Sequence, residues 1–500
     1  MVDDIKKKNT KIVFQINPYR IDHMNMSVCL LVLDGWGHNT PSSHNAISQA
    51  NTPYYDQLVK QEQFCLLHAS ESWVGLPEGQ FGNSEIGHMT IGSGRMIPSD
   101  LIKIDHILED TSVIDFINSG DIHILGLCSS GGVHSHIRHI TTLIKQLIST
   151  SDRAIFIHLI TDGRDRPIQS FKDDSAALFH LIENHPDRIK IASIAGRYFA
   201  MDRDRNWDRT QMFIDAMVSD NENNLDNHLS QHYKDGLSDE FIAPQSISPC
   251  TIKTNDTVIA CNFRADRFIQ ILERLQDQYP ASYVGFTDYP GQDSMPCLFP
   301  KEPIKNTLGE VISQHGLKQL RIAETEKYAH VTYFFNALNH TPYSNETRVL
   351  IPSVKVPTFD QSPAMSAHKI TEKLIEEISE HHFTVCNFAN ADMVGHTGNL
   401  SASIEAVEIL DQCLKAVHTA CIEKNIILIV TADHGNADQM LLANGEKSTS
   451  HSLAKVPFIL CGAKRKLSAS NNASLSNIAP TILSLLELPI PDEMHKDILE

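Results

Sequence analysis

The chain has 500 residues, 41% of them hydrophobic, with a formal net charge of −19 and 26 histidines. That length exceeds what one hydrophobic core usually supports, so two domains are expected, and the acidic balance disfavours nucleic acid or an anionic membrane as a partner unless a local basic patch overrules the global field. Ten cysteines are scattered singly with no C-x-x-C pair, which points to a reducing cytosol and excludes a disulfide framework.

The first two dozen residues carry positive charge, but Lys, Gln, Asn, Arg and Asp interrupt the apolar core that a signal peptide needs. They are expected to be an extension, with Met24 or Met26 as candidate starts. The longest apolar runs, at 154–160 and 426–430, fall far short of the ~20 residues of a membrane helix.

Beyond that point the chain repeats one pattern: a short β-branched apolar run, a polar cluster, then an amphipathic stretch. This is the signature of βα units around a mainly parallel, doubly wound sheet, in which ligands bind beyond the carboxyl ends of the strands. Runs at 28–33, 383–388 and 426–430 lead into Asp34, Asp392 and the adjacent pair Asp433 and His434. Runs at 122–128, 155–160, 191–195 and 258–261 lead instead into His134, then Arg164 with Asp165, then Arg197 and Arg203, then Arg264 and Arg267. Strand ends with metal-ligand character thus flank a central set that is basic, as expected for one α/β domain inserted into another. The expected division is an N-terminal extension at 1–27, one domain at 28–98 with 302–500, and an inserted domain at 99–301. The polar stretch at 220–227 is expected to be a solvated loop.

Asp392-x-x-x-His396 and Asp433-His434, with His451 in a Ser/Thr-rich loop, offer the oxygen and imidazole ligands that suit Mn²⁺, Zn²⁺ or a similar divalent ion. An aspartate after a strand is by itself more often a cap or turn former; the recurrence at several strand ends shifts the balance to ligation. Ser84 lies in a G-x-S-x-x-G spacing, which is not the G-x-S-x-G elbow of serine hydrolases. Coordination to a cation would make it a nucleophile without a histidine base; capping of the following helix is the alternative, and the motif alone leaves both open. The arginines come from three strand-loop units and would form an anion pocket if they converge, or surface salt bridges if they do not. There is no Walker A loop and no H-E-x-x-H.

The segments LVLDGWG at 31–37, GQFGNSEIGHMTIGSGR at 79–95, GGVHSH at 131–136, TDGRD at 161–165, NFRADR at 262–267, NFANADMVGHTG at 387–398 and TADHGNAD at 431–438 closely resemble those of the cofactor-independent phosphoglycerate mutases, relatives of the alkaline phosphatases. The resemblance implies an alkaline phosphatase-like domain with an inserted α/β substrate (phosphotransferase) domain. It implies two divalent ions, Mn²⁺ with Mg²⁺ or Co²⁺ as alternatives, one held by Asp34, Ser84, Asp433 and His434 and the other by Asp392, His396 and His451. Ser84 is then the phosphoryl acceptor, Asp165 the acid-base group for the substrate hydroxyl, and Lys327, Arg264 and Arg267 the groups that meet the phosphate. His134, Arg164, Asp165, Arg197 and Arg203 would grip the glycerate. The implied activity is that of an isomerase interconverting 3-phosphoglycerate and 2-phosphoglycerate in glycolysis and gluconeogenesis through a phosphoserine intermediate, without 2,3-bisphosphoglycerate. A cytoplasmic monomer is expected. A metal phosphohydrolase or phosphopentomutase would share the metal set, and a retired binding protein would share the fold; the inserted-domain residues weigh against the first and the complete ligand set against the second.

Overall fold

The run SVCLLVL has no charged residue, and six of its seven residues are buried in strand β1 (Ser27–Leu33), as a strand covered on both faces requires. In the computed structural model, which describes residues 26–442, 445–468 and 472–500, β1 is followed by β2 (Gln63–Leu67). Then come β3 (Ile122–Cys128), β4 (Ile155–Thr161), β5 (Ile189–Gly196), β6 (Gln245–Ser246), β7 (Thr257–Ala260) and β8 (Ser282–Gly285). The chain continues through β9 (Gln319–Glu324), β10 (Glu346–Ile351), β11 (Phe383–Phe388), β12 (Ile426–Thr431) and β13 (Val456–Cys461). Residues 1–25 of the expected extension lie outside the described residues.

The strands form two sheets, β10-β9-β11-β1-β12-β13-β2 and β6-β5-β4-β3-β7-β8. The first is parallel from β10 to β12, while β13 at one side pairs antiparallel with both β12 and β2. The second is parallel except for the two-residue edge strand β6. The fold class is α/β, as expected. Contacts divide the chain into two units, one made of the described part of Met1–Ile97 with Ile304–Glu500 and the other of Pro98–Pro303. Each has its own apolar core, centred on β1 and β12 in the first and on β3 and β4 in the second. One local expectation fails. The stretch at 220–227 is not all loop, because the Asn224 side chain accepts a hydrogen bond from Asn227 N and starts the helix Leu225–Lys234.

Two histidines lie inside the second sheet, where an unpaired imidazole would be costly. His158 Nδ1 is 2.9 Å from Ser193 Oγ, His158 Nε2 is 3.1 Å from His123 Nδ1, and His123 Nε2 is 3.3 Å from Asp256 Oδ2. Every atom is satisfied if the serine donates to His158, His158 donates to His123 and His123 donates to the carboxylate, with both rings neutral. Burial pushes the pKa of both histidines down. The unfolded chain therefore binds more protons than the folded one as pH drops below about 6.5, and stability falls by about 1.4 kcal/mol per pH unit for each proton taken up. Urea unfolding at about pH 7.5 and about pH 5.5 is expected to show this loss. His158→Asn should flatten the dependence by one proton, and an unchanged slope in that variant would dismiss the histidine pair as its source.

Candidate active site

The register of the first sheet brings together residues that are hundreds of positions apart. Leu33 pairs with Phe388 and Val32 with Thr431, so β1, β11 and β12 end side by side. Asp34, Asp392, Asp433 and His434 follow those ends. Gly35 turns the chain at φ +76°, and a Cβ there would lie 2.8 Å from the Cα of Asp392; no larger residue fits between the two aspartates. The helix Ser84–Ser93 approaches through Gly87, whose missing Cβ would meet the Asp433 backbone oxygen at 2.7 Å.

Ser84 is the first residue of that helix, and the cap is Asn83, whose side chain accepts from Ile86 N. The Ser84 hydroxyl is thereby free of capping duty. Its Oγ is 2.7 Å from Lys327 Nζ, 2.9 Å from His434 Nε2 and 3.2 Å from Asp34 Oδ1. Lys327, on the short helix Thr325–Ala329 after β9, also reaches Asp34 Oδ1 at 2.7 Å and Asp392 Oδ2 at 2.6 Å. Ser84 and Lys327 are both buried.

The imidazoles share one arrangement. His396 Nδ1 bonds to Thr449 O at 2.7 Å, His451 Nδ1 to Gly82 O at 2.8 Å and His434 Nδ1 to Gly435 O at 3.3 Å. A carbonyl only accepts, so each ring carries its proton on Nδ1 and turns a bare Nε2 toward the aspartates. His396 Nε2 and His451 Nε2 are 3.1 Å apart and lie 3.2 and 3.3 Å from Asp392 Oδ1. His434 Nε2 lies 3.5 Å from Asp34 Oδ1 and 3.6 Å from Asp433 Oδ2. Lone pairs and carboxylate oxygens at such separations repel one another unless a cation sits among them. The ligand atoms of Asp34, Asp433 and His434 fall within 4.8 Å of one another, as do those of Asp392, His396 and His451. This donor set fits two divalent ions.

Charge gives the same answer. Three buried carboxylates face one ammonium. Burial opposes the Lys327 ammonium, but Asp34, Asp392 and Asp433 outweigh it and hold its pKa well above the ordinary value. Burial, reinforced by Asp433, drives the pKa of Asp34 up to about 7. Burial works the same way on Asp392, but the Lys327 ammonium and then the neighbouring imidazoles outweigh it and hold its carboxyl well down. Burial also holds His434 down at about 4, which keeps its lone pair available near neutral pH. Asp433 Oδ2 is buried without a hydrogen bond, because His88 Nδ1, 3.2 Å away, is directed to Ser84 O. An orphan oxygen of that kind is what a bound cation would satisfy.

In the second unit, Arg197 is buried, with Nη1 at 2.6 Å from Asp162 Oδ1 and 2.5 Å from Asp165 Oδ2. His134 Nε2 is 3.9 Å from the same Asp165 oxygen, and burial, then Arg197 and Arg264, push its pKa down to about 4. Arg203 and Arg264 share Asp266, each at 3.0 Å, and Arg164 pairs with Glu240 at 3.4 Å. The Arg267 pKa is lowered by burial and then by Arg203, Arg197 and Arg164. The arginines therefore pair with carboxylates and also crowd one another, and such a concentration of positive charge attracts an anion.

A family model described as the metalloenzyme superfamily matches residues 26–490. A 2,3-bisphosphoglycerate-independent phosphoglycerate mutase from Antithamnion sp. is 44% identical over 501 aligned positions, covering 94% of this chain and 97% of that protein. The protein of the same name from Gracilaria tenuistipitata var. liui is 43% identical, with the same coverage. The chain belongs to the 2,3-bisphosphoglycerate-independent phosphoglycerate mutases. A crystal structure of Leishmania mexicana phosphoglycerate mutase, obtained at low cobalt concentration, superposes with a TM-score of 0.69 at 28% identity and covers 95% of this chain and 98% of that one.

As a member of this mutase family the chain brings Asp34, Ser84, Asp392, His396, Asp433, His434 and His451 into one cluster. Lys327, which the resemblance grouped with Arg264 and Arg267, belongs to that cluster and to the first unit. His134, Asp165 and Arg197 form a second group, while Arg203 and Arg264 meet through Asp266.

Sequence reasoning missed the groups that hold the ligands. Asn387 Nδ2 donates to Asp34 Oδ2 at 2.7 Å and lies 3.1 Å from His88 Nε2. His88 Nδ1 is 2.9 Å from Ser84 O and 3.2 Å from Asp433 Oδ2. Asn436 Nδ2 donates to Asp392 Oδ1 at 2.8 Å, and Asp162 anchors Arg197. An amide inside an apolar strand was the available signal for Asn387, and the i to i+4 spacing from Ser84 was the signal for His88.

Proposed function

We propose that this chain interconverts 3-phosphoglycerate and 2-phosphoglycerate by way of a phosphoserine at Ser84, without 2,3-bisphosphoglycerate. The reading rests on one observation above the rest: three bare imidazole nitrogens and three buried carboxylates converge on a serine hydroxyl that neither caps its helix nor belongs to an acyl-transfer triad. The names of the relatives support it. Asp34, Ser84, Asp433 and His434 would hold one divalent ion, and Asp392, His396 and His451 the other, Mn²⁺ being the proposed metal. When bound, the ions lower the pKa of the serine hydroxyl and offset phosphate charge.

The residues of the chain do the rest. Lys327 keeps a positive charge on Ser84 Oγ and neutralises the arriving phosphate. The first turn of the helix Ser84–Ser93 adds backbone N–H groups at its N-terminus, where anions are favoured. Arg164, Arg197 and Arg203 have the charge and planar geometry to hold a carboxylate and hydroxyls, with Arg264 and Arg267 on the phosphate. Asp165, paired with Arg197 and beside His134, takes and returns the proton of the substrate hydroxyl. Glycerate retained by these groups receives the phosphoryl group on its other hydroxyl. All ten cysteines are free, which supports a cytoplasmic setting, and we read the enzyme as a monomer. Among the described residues no helix is long and apolar enough to cross a membrane.

The test is conversion of 3-phosphoglycerate by purified protein with Mn²⁺ and no bisphosphoglycerate. Formation of 2-phosphoglycerate is expected; release of inorganic phosphate as the main product would replace the mutase reading by the phosphohydrolase one. Asn387→Ala, which removes the amide holding Asp34, is expected to weaken metal retention by about 10–100-fold. Metal content after dialysis checks this directly, and wild-type content in the variant would show that the amide does not support the site.

A further inference from the structure

A second set of metal-ligand side chains lies at the other end of the first sheet. Glu62, His418 and Cys461 place their ligand atoms within 4.8 Å of one another. Cys461 ends β13, whose antiparallel register puts it beside Leu428 near the start of β12. Gln63 pairs with Leu460, so Glu62 follows alongside Cys461, and His418 comes from the long helix Leu400–Glu423. From Leu428 to Asp433 is five residues of extended chain, so the set lies roughly 15 Å from the candidate active site.

The three side chains are prepared for an ion in a way that an accidental neighbourhood is not. His418 Nδ1 is fixed by Tyr54 Oη at 2.9 Å, which orients the ring and leaves Nε2 to face the cluster, the usual support for a ligating histidine. Glu62 makes no salt bridge or side-chain hydrogen bond with another described residue, and neither does the Cys461 thiol. His418 and Cys461 are buried while Glu62 is half-exposed, so a path from solvent exists on the carboxylate side. The buried trio His123, His158 and Cys250 is also close enough to ligate, but there all four imidazole nitrogens have a partner, two of them each other. That trio is complete without an ion, whereas the Glu62 set has three donors with nothing to bind.

We propose that Glu62, His418 and Cys461 form a binding site for Zn²⁺ or an ion of the same borderline class, with water from the Glu62 side as fourth ligand. A thiolate and a carboxylate neutralise a divalent charge, and mixed sulfur, nitrogen and oxygen donors in a four-coordinate site suit zinc. Binding forms the metal–sulfur bond as the Cys461 proton leaves to solvent. Burial, reinforced by Glu62 and Cys421, pushes the Cys461 thiol well up, so without the ion it stays protonated. The occupied site joins the end of β13, the entry to β2 and the helix Leu400–Glu423, segments that no covalent link holds together. Its role is that of a structural staple.

Cobalt is the probe, added to protein already loaded with Mn²⁺. The candidate active site contains no sulfur, so a near-ultraviolet sulfur-to-cobalt charge-transfer band reports a cysteine site alone. One equivalent of Co²⁺ is expected to produce the band, and Zn²⁺ to bleach it and raise the unfolding midpoint by a few degrees. Cys461→Ser is expected to abolish the band, and Glu62→Gln, a change at a half-exposed position that should not disturb folding, to weaken cobalt binding at least tenfold. Mutase turnover should be the same in both variants as in the unaltered chain. No band, a band that survives Cys461→Ser, or one that disappears in Cys250→Ser instead would overturn the assignment.

Discussion

Ser84→Ala is expected to abolish isomerisation while leaving the fold and most metal binding in place. The hydroxyl has three close contacts, to Lys327 Nζ, His434 Nε2 and Asp34 Oδ1, and every one of those partners has another. Lys327 keeps Asp34 and Asp392, and Asp34 keeps Asn387. The helix keeps its cap, which is Asn83 and not Ser84. The substitution therefore removes one atom from a site that stays assembled. No second hydroxyl contacts Lys327 among the described residues, so nothing takes over as acceptor. Turnover should fall by roughly four decades or more, as it does when a covalent nucleophile is deleted from other enzymes. The measurements are 2-phosphoglycerate formation, metal content and the circular dichroism of the purified variant. Isomerase activity within tenfold of wild type, on a folded and metal-loaded protein, would remove Ser84 from the mechanism.

Arg197→Ala should change the products as well as the rate. In the proposed reaction the glycerate waits, dephosphorylated, for the phosphoryl group to return, and Arg197 is one of the groups that retain it. Loss of a charged hydrogen-bonding partner costs about 1.5–3 kcal/mol, or roughly one to two decades in partitioning if it acts wholly on retention. Glycerate should then leave early, water should attack the phosphoserine, and inorganic phosphate should appear as 2-phosphoglycerate declines. The structure adds that Arg197 also neutralises Asp162 and Asp165. Truncation leaves a buried aspartate without its cation, so folding must be checked, and Arg197→Lys, which keeps the charge, should recover part of the retention. A product ratio equal to wild type in both variants, with both rates lowered alike, would assign Arg197 to structure and not to retention.

The sequence by itself determined the parts of this protein that are local. An apolar run followed by a turn and a ligand is written in consecutive residues, so the strand ends carrying Asp34, Asp392 and Asp433 could be read directly, as could the arginines of the middle segment. The family resemblance followed from the same local strings. What only the tertiary structure decided are relations between residues that share no local signal. The register of β1 with β11 and β12 places Asn387 against Asp34 across 353 positions. The helix that begins at Ser84 could be capped by either of two adjacent residues, and only the Asn83 contact with Ile86 N shows which. Lys327 follows an inconspicuous strand end, yet three acceptors at 2.6–2.7 Å make it the cation on which Ser84, Asp34 and Asp392 converge. The three imidazoles are suited to metal ligation because backbone carbonyls, those of distant Thr449 and Gly82 and of adjacent Gly435, accept from their Nδ1. A chain lists its histidines; only folding can choose which nitrogen of each is bare, because that choice belongs to whatever packs against the opposite edge of the ring.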